Sequence, residues 1–198
     1  PYVWTPSTAK MRLVVVLGDN ASGKSFVRRL MSAVAKKNKI EVMPLSMEGR
    51  HSMGPMGAFV YGSEEWEATG VNSIRTVVTG ISTCRSRENK HVIIWDEPDL
   101  GLSDGNAASV GQALAEFAQE PPSHTMASVV ITHRKSLVGQ LAAMQPQPHY
   151  LFVGESDGPS NFAEWLTQPP VVRPLAKIRE ASERRFKMIQ KILNRVVR

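Results

Sequence analysis

The 198-residue chain reads as an α/β protein whose mainly parallel sheet of five or more strands lies between helical layers. Three observations predict this. Short β-branched runs alternate with stretches of helical period, which implies right-handed crossovers and parallel pairing. The first run ends in a glycine-rich turn that opens a helix, "VLGDNASGKSF" (Val16–Phe26), and a later one ends in paired acids, "VIIWDEP" (Val92–Pro98). With 42% hydrophobic and 21% charged residues, the chain can bury a core of that size.

The elements follow in order. "RLVVVL" (Arg12–Leu17) is a buried strand. Phe26, Val27, Leu30, Met31 and Val34 then recur at helical spacing, so an amphipathic helix starts at Ser25, and "IEVMPLS" (Ile40–Ser46) is a second strand. Met47 to Thr69 has no clean period, is rich in Gly and Met, and reads as a long loop of the kind that is usually functional or mobile. In the helix that follows, Val71, Ile74, Val77, Val78 and Ile81 share one face, with Thr69 or Asn72 as possible caps. "HVIIWDEP" is a strand, and a helix capped near Ser103 or Asp104 runs to the stop at Pro121–Pro122. "ASVVITHR" is another strand, Leu137–Met144 a short helix and "HYLFVG" a fifth strand. Residues 1–168 thus read as one domain, Pro169–Pro174 as a linker and Leu175–Arg198 as a separate helix.

Composition excludes several classes. Cys84 is alone, so there is no disulfide framework and no cysteine metal site. The longest apolar run, Leu13–Leu17, is far too short to cross a bilayer or to form a signal-peptide core. A soluble cytoplasmic protein is expected, without membrane association. The formal charge of +6 is uneven: nine Lys or Arg face two Glu from Arg173 onward, so the body is nearly neutral and the tail is strongly basic.

The turn after the first strand has the spacing G-x-x-x-x-G-K-[ST], with Gly18, Gly23, Lys24 and Ser25, and it has a strand before it and a helix after it. Backbone N–H groups of Gly18, Asp19, Asn20, Ala21, Ser22, Gly23, Lys24, Ser25 and Phe26 can converge on phosphate oxygens at a helix N-terminus. Lys24 would reach the β- and γ-phosphates and Ser25 would ligate Mg²⁺. A chance Gly-Ser turn is the weaker reading in this context.

Downstream, an apolar strand delivers Asp96 to the sheet edge, where a carboxylate can hold Mg²⁺ beside Ser25. Glu97, the next residue, can polarise a water in line with the γ-phosphate. A third strand ends in Thr132 and His133, and a histidine there can hydrogen-bond the γ-phosphate. The simpler alternatives are acids that cap the next helix and a structural histidine.

"GDNASGKS" resembles the Walker A form of ABC-type ATPases, including the RecF-like and structural-maintenance-of-chromosomes branches. "VIIWDEPDLGLSD" is similar to their Walker B, catalytic Glu and following loop, and "VVITHR" to their switch-histidine strand. The resemblance spans Arg12 to Arg134 and implies a P-loop NTPase three-layer sandwich. It also implies ATP and Mg²⁺ as ligands, and ATP held between two such domains, so that a homodimer or a partner protein is expected. In it Lys24, Glu97 and His133 are catalytic, and Ser25 and Asp96 hold the metal. Where the family signature should stand is "EATGVNSI", whose Thr69, Gly70 and Ser73 either face a partner's γ-phosphate or simply open a helix. No Gln lies between the Walker A helix and Walker B, where His51 or Ser52 could stand in, and Tyr2 or Trp4 could either stack on adenine or pack in the core.

By analogy with small non-transporter members, the chain is expected to work in DNA metabolism or in phage–host conflict. Two other readings use the same residues: another P-loop class, such as a kinase or a RecA-like motor, and a binding module switched by ATP without turnover. The tail, apolar at Leu175, Ile178, Phe186, Ile189, Ile192, Leu193 and Val196 and basic elsewhere, can pack on its own domain, dock on a partner or lie along nucleic acid.

Overall fold

The structure, a computed structural model, describes residues 12–19, 22–46, 68–144, 148–154, 159, 161–169 and 171–196, with the backbone alone at 12 and 192–196. One all-parallel sheet contains β1 (Arg12–Leu17), β2 (Glu41–Ser46), β3 (His91–Asp96), β4 (Thr125–Thr132) and β5 (His149–Phe152), in the order β2-β3-β4-β1-β5. The helices are α1 (Lys24–Lys37), α2 (Thr69–Ser86), α3 (Asp104–Gln119), α4 (Lys135–Ala142), α5 (Phe162–Thr167) and α6 (Leu175–Val196).

The strand order dictates the layers. The step from β1 to β2 crosses the sheet in one direction, and the three later steps return in the other. Right-handed crossovers then place α1 on one face and α2, α3 and α4 on the opposite face. Packing agrees: Val16, Ile94, Val129 and Ile131 meet Val27 and Met31 of α1. On the other face, Leu17, Leu45, Trp95 and Val130 join Val77 of α2, Leu114 and Phe117 of α3, and Leu137 and Leu141 of α4. Trp95 is fully buried, stands edge-on to Phe117 and donates its indole N–H to Ser128 Oγ at 2.9 Å. Because the strands are parallel, their C-terminal ends form one edge, and β4 separates β1 from β3 there.

Most boundaries follow the sequence pattern. α1 begins at Lys24 rather than Ser25, and β2 at Glu41 rather than Ile40. Ser103 is the cap of α3, accepting from the N–H of Asn106, while Asp104 is its first residue. α5 was not expected. Asn161 caps it by accepting from the N–H of Glu164 at 2.9 Å, and Trp165 anchors it in the core. That Asn-x-x-Glu spacing is a start signal present in the sequence.

α2 departs from its expected face. Val71, Ile74 and Val78 are 48%, 40% and 62% exposed, while Asn72, Ser73, Thr76, Val77, Gly80 and Cys84 are buried. Close approach explains it: a Cβ on Gly80 would lie 2.4 Å from Leu45 and 2.8 Å from Trp95. The buried hydroxyls are satisfied by backbone carbonyls, Thr76 Oγ1 donating to that of Asn72 and Ser73 Oγ to that of Leu100 in the loop after β3. Neither expected cap operates, since the N-cap is Ala68 with no side-chain bond. Burial pushes the Cys84 thiol up to about 12, so the lone cysteine is a core group. On α6, Leu175, Phe186 and Met188 are exposed. Among the described residues no helix is long and apolar enough to cross a membrane.

Candidate functional site

Each predicted site residue that the structure describes follows, or ends, a strand at the C-terminal edge of the sheet. Gly18, Asp19 and Ser22–Phe26 follow β1, Asp96 ends β3 with Glu97 next, and His133 follows β4. β1 and β3 are about 10 Å apart, twice the strand spacing. The end of β4 lies in that gap, which brings His133 between the loop and the acids. Asn20 and Ala21 lie outside the described residues, as do Tyr2, Trp4, His51 and Ser52.

The loop is tight. A Cβ on Gly18 would lie 2.2 Å from the carbonyl oxygen of Val153 and 2.4 Å from Ser22 Oγ, so only glycine fits. Gly23 takes φ 106° as the N-cap of α1, a left-handed conformation open to glycine. The N–H of Ser22 returns to the carbonyl of Asp19 at 3.1 Å. The first turn of α1 carries no acid and its last turn holds Lys36 and Lys37, the polarity that favours an anion at the N-terminus. Ser22 and Phe26 are the less suited of the predicted loop donors, because the N–H of Phe26 likewise goes to a backbone carbonyl, that of Gly23, at 2.9 Å.

Lys24 is 7% exposed and its ammonium donates to the carbonyls of Gly18 at 2.9 Å and Asp19 at 3.1 Å. It also stands 3.5 Å from Glu97 Oε1, and His133 Nδ1 approaches the same oxygen at 3.5 Å. Three residues from three strand ends thus meet on one carboxylate oxygen. The bond to His133 holds the Glu97 carboxyl below its usual range, burial works against this, and the charge of Lys24 adds to the lowering. Glu97 has φ 52°, a strained conformation for a side-chain-bearing residue, fixed by its N–H donating to Ile131 at 2.8 Å.

Asp96 pairs with Arg28 of α1 at 2.9 Å. Asp99 is 2% exposed, accepts from Thr132 Oγ1 at 2.9 Å and from Arg134 Nε at 3.1 Å, and so holds the residues on both sides of His133. Sequence reasoning passed over both Arg28 and Asp99. The available signals were the position of Arg28 four residues after Lys24, on the same helix face, and the third acid of "DEPD". Arg173 of the linker pairs with Asp19 at 2.8 Å, which no sequence pattern suggests.

In the segment at the signature position, Gly70 packs on Gly101, whose carbonyl oxygen would lie 2.7 Å from an added Cβ, and Ser73 is 1% exposed. Ser73 is committed to its own chain. Thr69 is exposed at the start of α2.

The residues suit a polyphosphate and Mg²⁺. Ser22 Oγ is buried without a hydrogen-bond partner, and the Gly18 cradle closes on it. Among the described residues no three His, Cys, Asp or Glu converge as a metal cluster. Ser25, exposed in the first turn of α1, and Asp96 at the end of β3 are the groups that would hold Mg²⁺, as one or two protein ligands beside phosphates commonly do. The chain matches no protein-family model and no curated protein.

Proposed function

We propose that the chain is an ATPase of the ABC-like P-loop type, hydrolysing the γ-phosphoryl bond of ATP at the edge formed by β1, β4 and β3. The observation that carries this reading is the meeting of Lys24 and His133 on Glu97 at the mouth of the Gly18–Lys24 loop.

The loop N–H groups and Lys24 bind and orient the phosphates, and the Gly18 cradle sets how closely the backbone approaches them. Ser25 and Asp96 would hold Mg²⁺, which would supply charge neutralisation to the phosphates. Glu97 accepts a proton from the attacking water as the water oxygen bonds to the γ-phosphorus. The bond from that phosphorus to the β–γ bridging oxygen breaks, and ADP leaves with its electron pair. His133 donates to a γ-phosphate oxygen.

Lys24 and His133 have a second role. While both engage Glu97, its carboxylate is a poor base, because each interaction favours the ionised form. Transfer of the two groups to phosphate removes that stabilisation and raises the proton affinity of Glu97. Nucleotide binding thereby activates the base.

The reading includes a partner. Val71, Ile74 and Val78 form an exposed apolar stripe on α2, and Leu100 at the same edge is 41% exposed. A second copy that covers them would close over the nucleotide. With Ser73 buried, the partner-facing donors on α2 reduce to Thr69 and the helix N-terminus. A partner protein or nucleic acid engaged through α6 is the coupled element, and DNA metabolism or phage–host conflict the setting.

ADP release from ATP without an added acceptor tests the reading. Parent protein should turn over, Lys24→Ala should lose nucleotide-induced thermal stabilisation, and Glu97→Gln should keep it while losing hydrolysis. Lys24→Ala stabilised by ATP as strongly as the parent would overturn the assignment. ADP formed only when an acceptor is present would make the chain a kinase.

A further inference from the structure

Arg28 lies one helical turn beyond Lys24 on α1 and turns its guanidinium to the ends of β2 and β3. Its Nη1 donates to Asp96 Oδ2 at 2.9 Å and to Ser46 Oγ at 3.4 Å. Ser46 and Asp96 are register partners, the last residues of the two adjacent strands. The pair is well enclosed: the Arg28 and Asp96 side chains are 19% and 13% exposed.

Resting on the nucleotide reading above, we infer that Arg28 is a resident counter-cation that competes with divalent metal for the Asp96 carboxylate. A carboxylate this enclosed needs a cation, since burial of an unpaired charge is costly. Arg28 meets the need with a guanidinium that donates directly to the carboxylate. A divalent ion at Asp96 must therefore displace the guanidinium or sit against its positive charge, with Lys24 contributing another cation one turn away. Metal alone is thus disfavoured. A polyphosphate changes the balance, because its negative charge offsets both Lys24 and Arg28. Ser46 supplies a landing point that holds the displaced guanidinium near the site. Metal then enters with nucleotide rather than before it.

The experiment measures Mn²⁺ binding without nucleotide, by electron paramagnetic resonance of free Mn²⁺ and by thermal shift. Parent protein should bind Mn²⁺ weakly. Arg28→Met should bind about tenfold or more tightly, the effect expected from removing a unit positive charge beside a divalent ion. Arg28→Gln should show the same gain, and it keeps a donor for Asp96 should the methionine variant fail to fold. Adding Asp96→Asn to either variant should abolish the gain. Mn²⁺ affinity that is unchanged or lower in Arg28→Gln would overturn the inference and make Arg28 a positioning residue for Asp96. A gain that survives Asp96→Asn would overturn it too, by locating the metal elsewhere. Stabilisation of parent protein by ATP in EDTA tests the nucleotide reading separately, so the two can fail independently.

Discussion

Asp99 accepts a hydrogen bond from the guanidinium of Arg134 at 3.1 Å, bridging the loops that follow β3 and β4. Its other carboxylate oxygen takes the hydroxyl of Thr132, which in turn accepts the N–H of Arg134 at 3.0 Å. His133 is the residue between them, so its approach to Glu97 depends on a buried acid that holds both of its neighbours. Asp99→Ala should destabilise the fold by about 3 kcal/mol, the low end for breaking a buried pair, because Arg134 retains Asp104. ATP binding should persist while turnover falls. Chemical denaturation and phosphate release are the two measurements, and unaltered turnover would free His133 from Asp99.

Gly18→Ala and Gly105→Ala should have opposite consequences. The first drives a methyl group into the backbone carbonyl of Val153, so the loop must open and nucleotide-induced stabilisation should be lost. The second lies in the first turn of α3 with nothing within 4 Å of the added carbon. It should raise stability by about 0.5–1 kcal/mol through helix propensity and leave nucleotide binding alone. Thermal unfolding with and without ATP reads both.

Glu97 links stability to pH. Its carboxyl is held below the ordinary value of 4.5, chiefly by His133. A depressed carboxylate contributes stability that is fully present above its ordinary value and is lost as pH falls through the lowered one. The unfolding free-energy gap between parent and Glu97→Gln should therefore be widest near neutrality and shrink below about pH 4.5. A gap that stays constant down to acid would mean that His133 and Lys24 do not stabilise the ionised form. Glu97→Gly relieves the φ of 52°, so it should fold at least as stably as Glu97→Gln while losing hydrolysis equally.

Deletion of residues 173–198 should leave ATP binding intact and shift stability little. Among the described residues, what it removes at the loop is the pairing of Arg173 with Asp19, an exposed ion pair worth about 0–1 kcal/mol. If the basic face of α6 lies along nucleic acid, the same deletion should remove most of that binding, and binding by the whole chain should fall steeply with salt. Filter binding to DNA and RNA across a salt series is the measurement. Affinity that survives the deletion would place the nucleic-acid surface on the domain.

The alternation of strands and helices, the glycine spacing at Gly18 and Gly23 and the strand-end acids were legible along the chain. They are local patterns, set by period, by turn chemistry and by residues a few positions apart. The strand order was not, because β4 enters between β1 and β3 through long-range pairing that no local pattern encodes. That insertion brings His133 to Glu97 together with Lys24, and it lets Asp99 reach both neighbours of His133. The buried face of α2 was misread for a related reason. Five apolar residues at helical spacing indicate a stripe, but Gly80 lets the helix approach Trp95 and Leu45 closely and so turns that side inward. Arg28 shows the same division: its place one turn after Lys24 is local, whereas its pairing with Asp96 exists only because the crossover of α1 carries it across the ends of β2 and β3. Sequence determined which groups were available at the edge, and the tertiary pairing of distant strands decided which charges they meet.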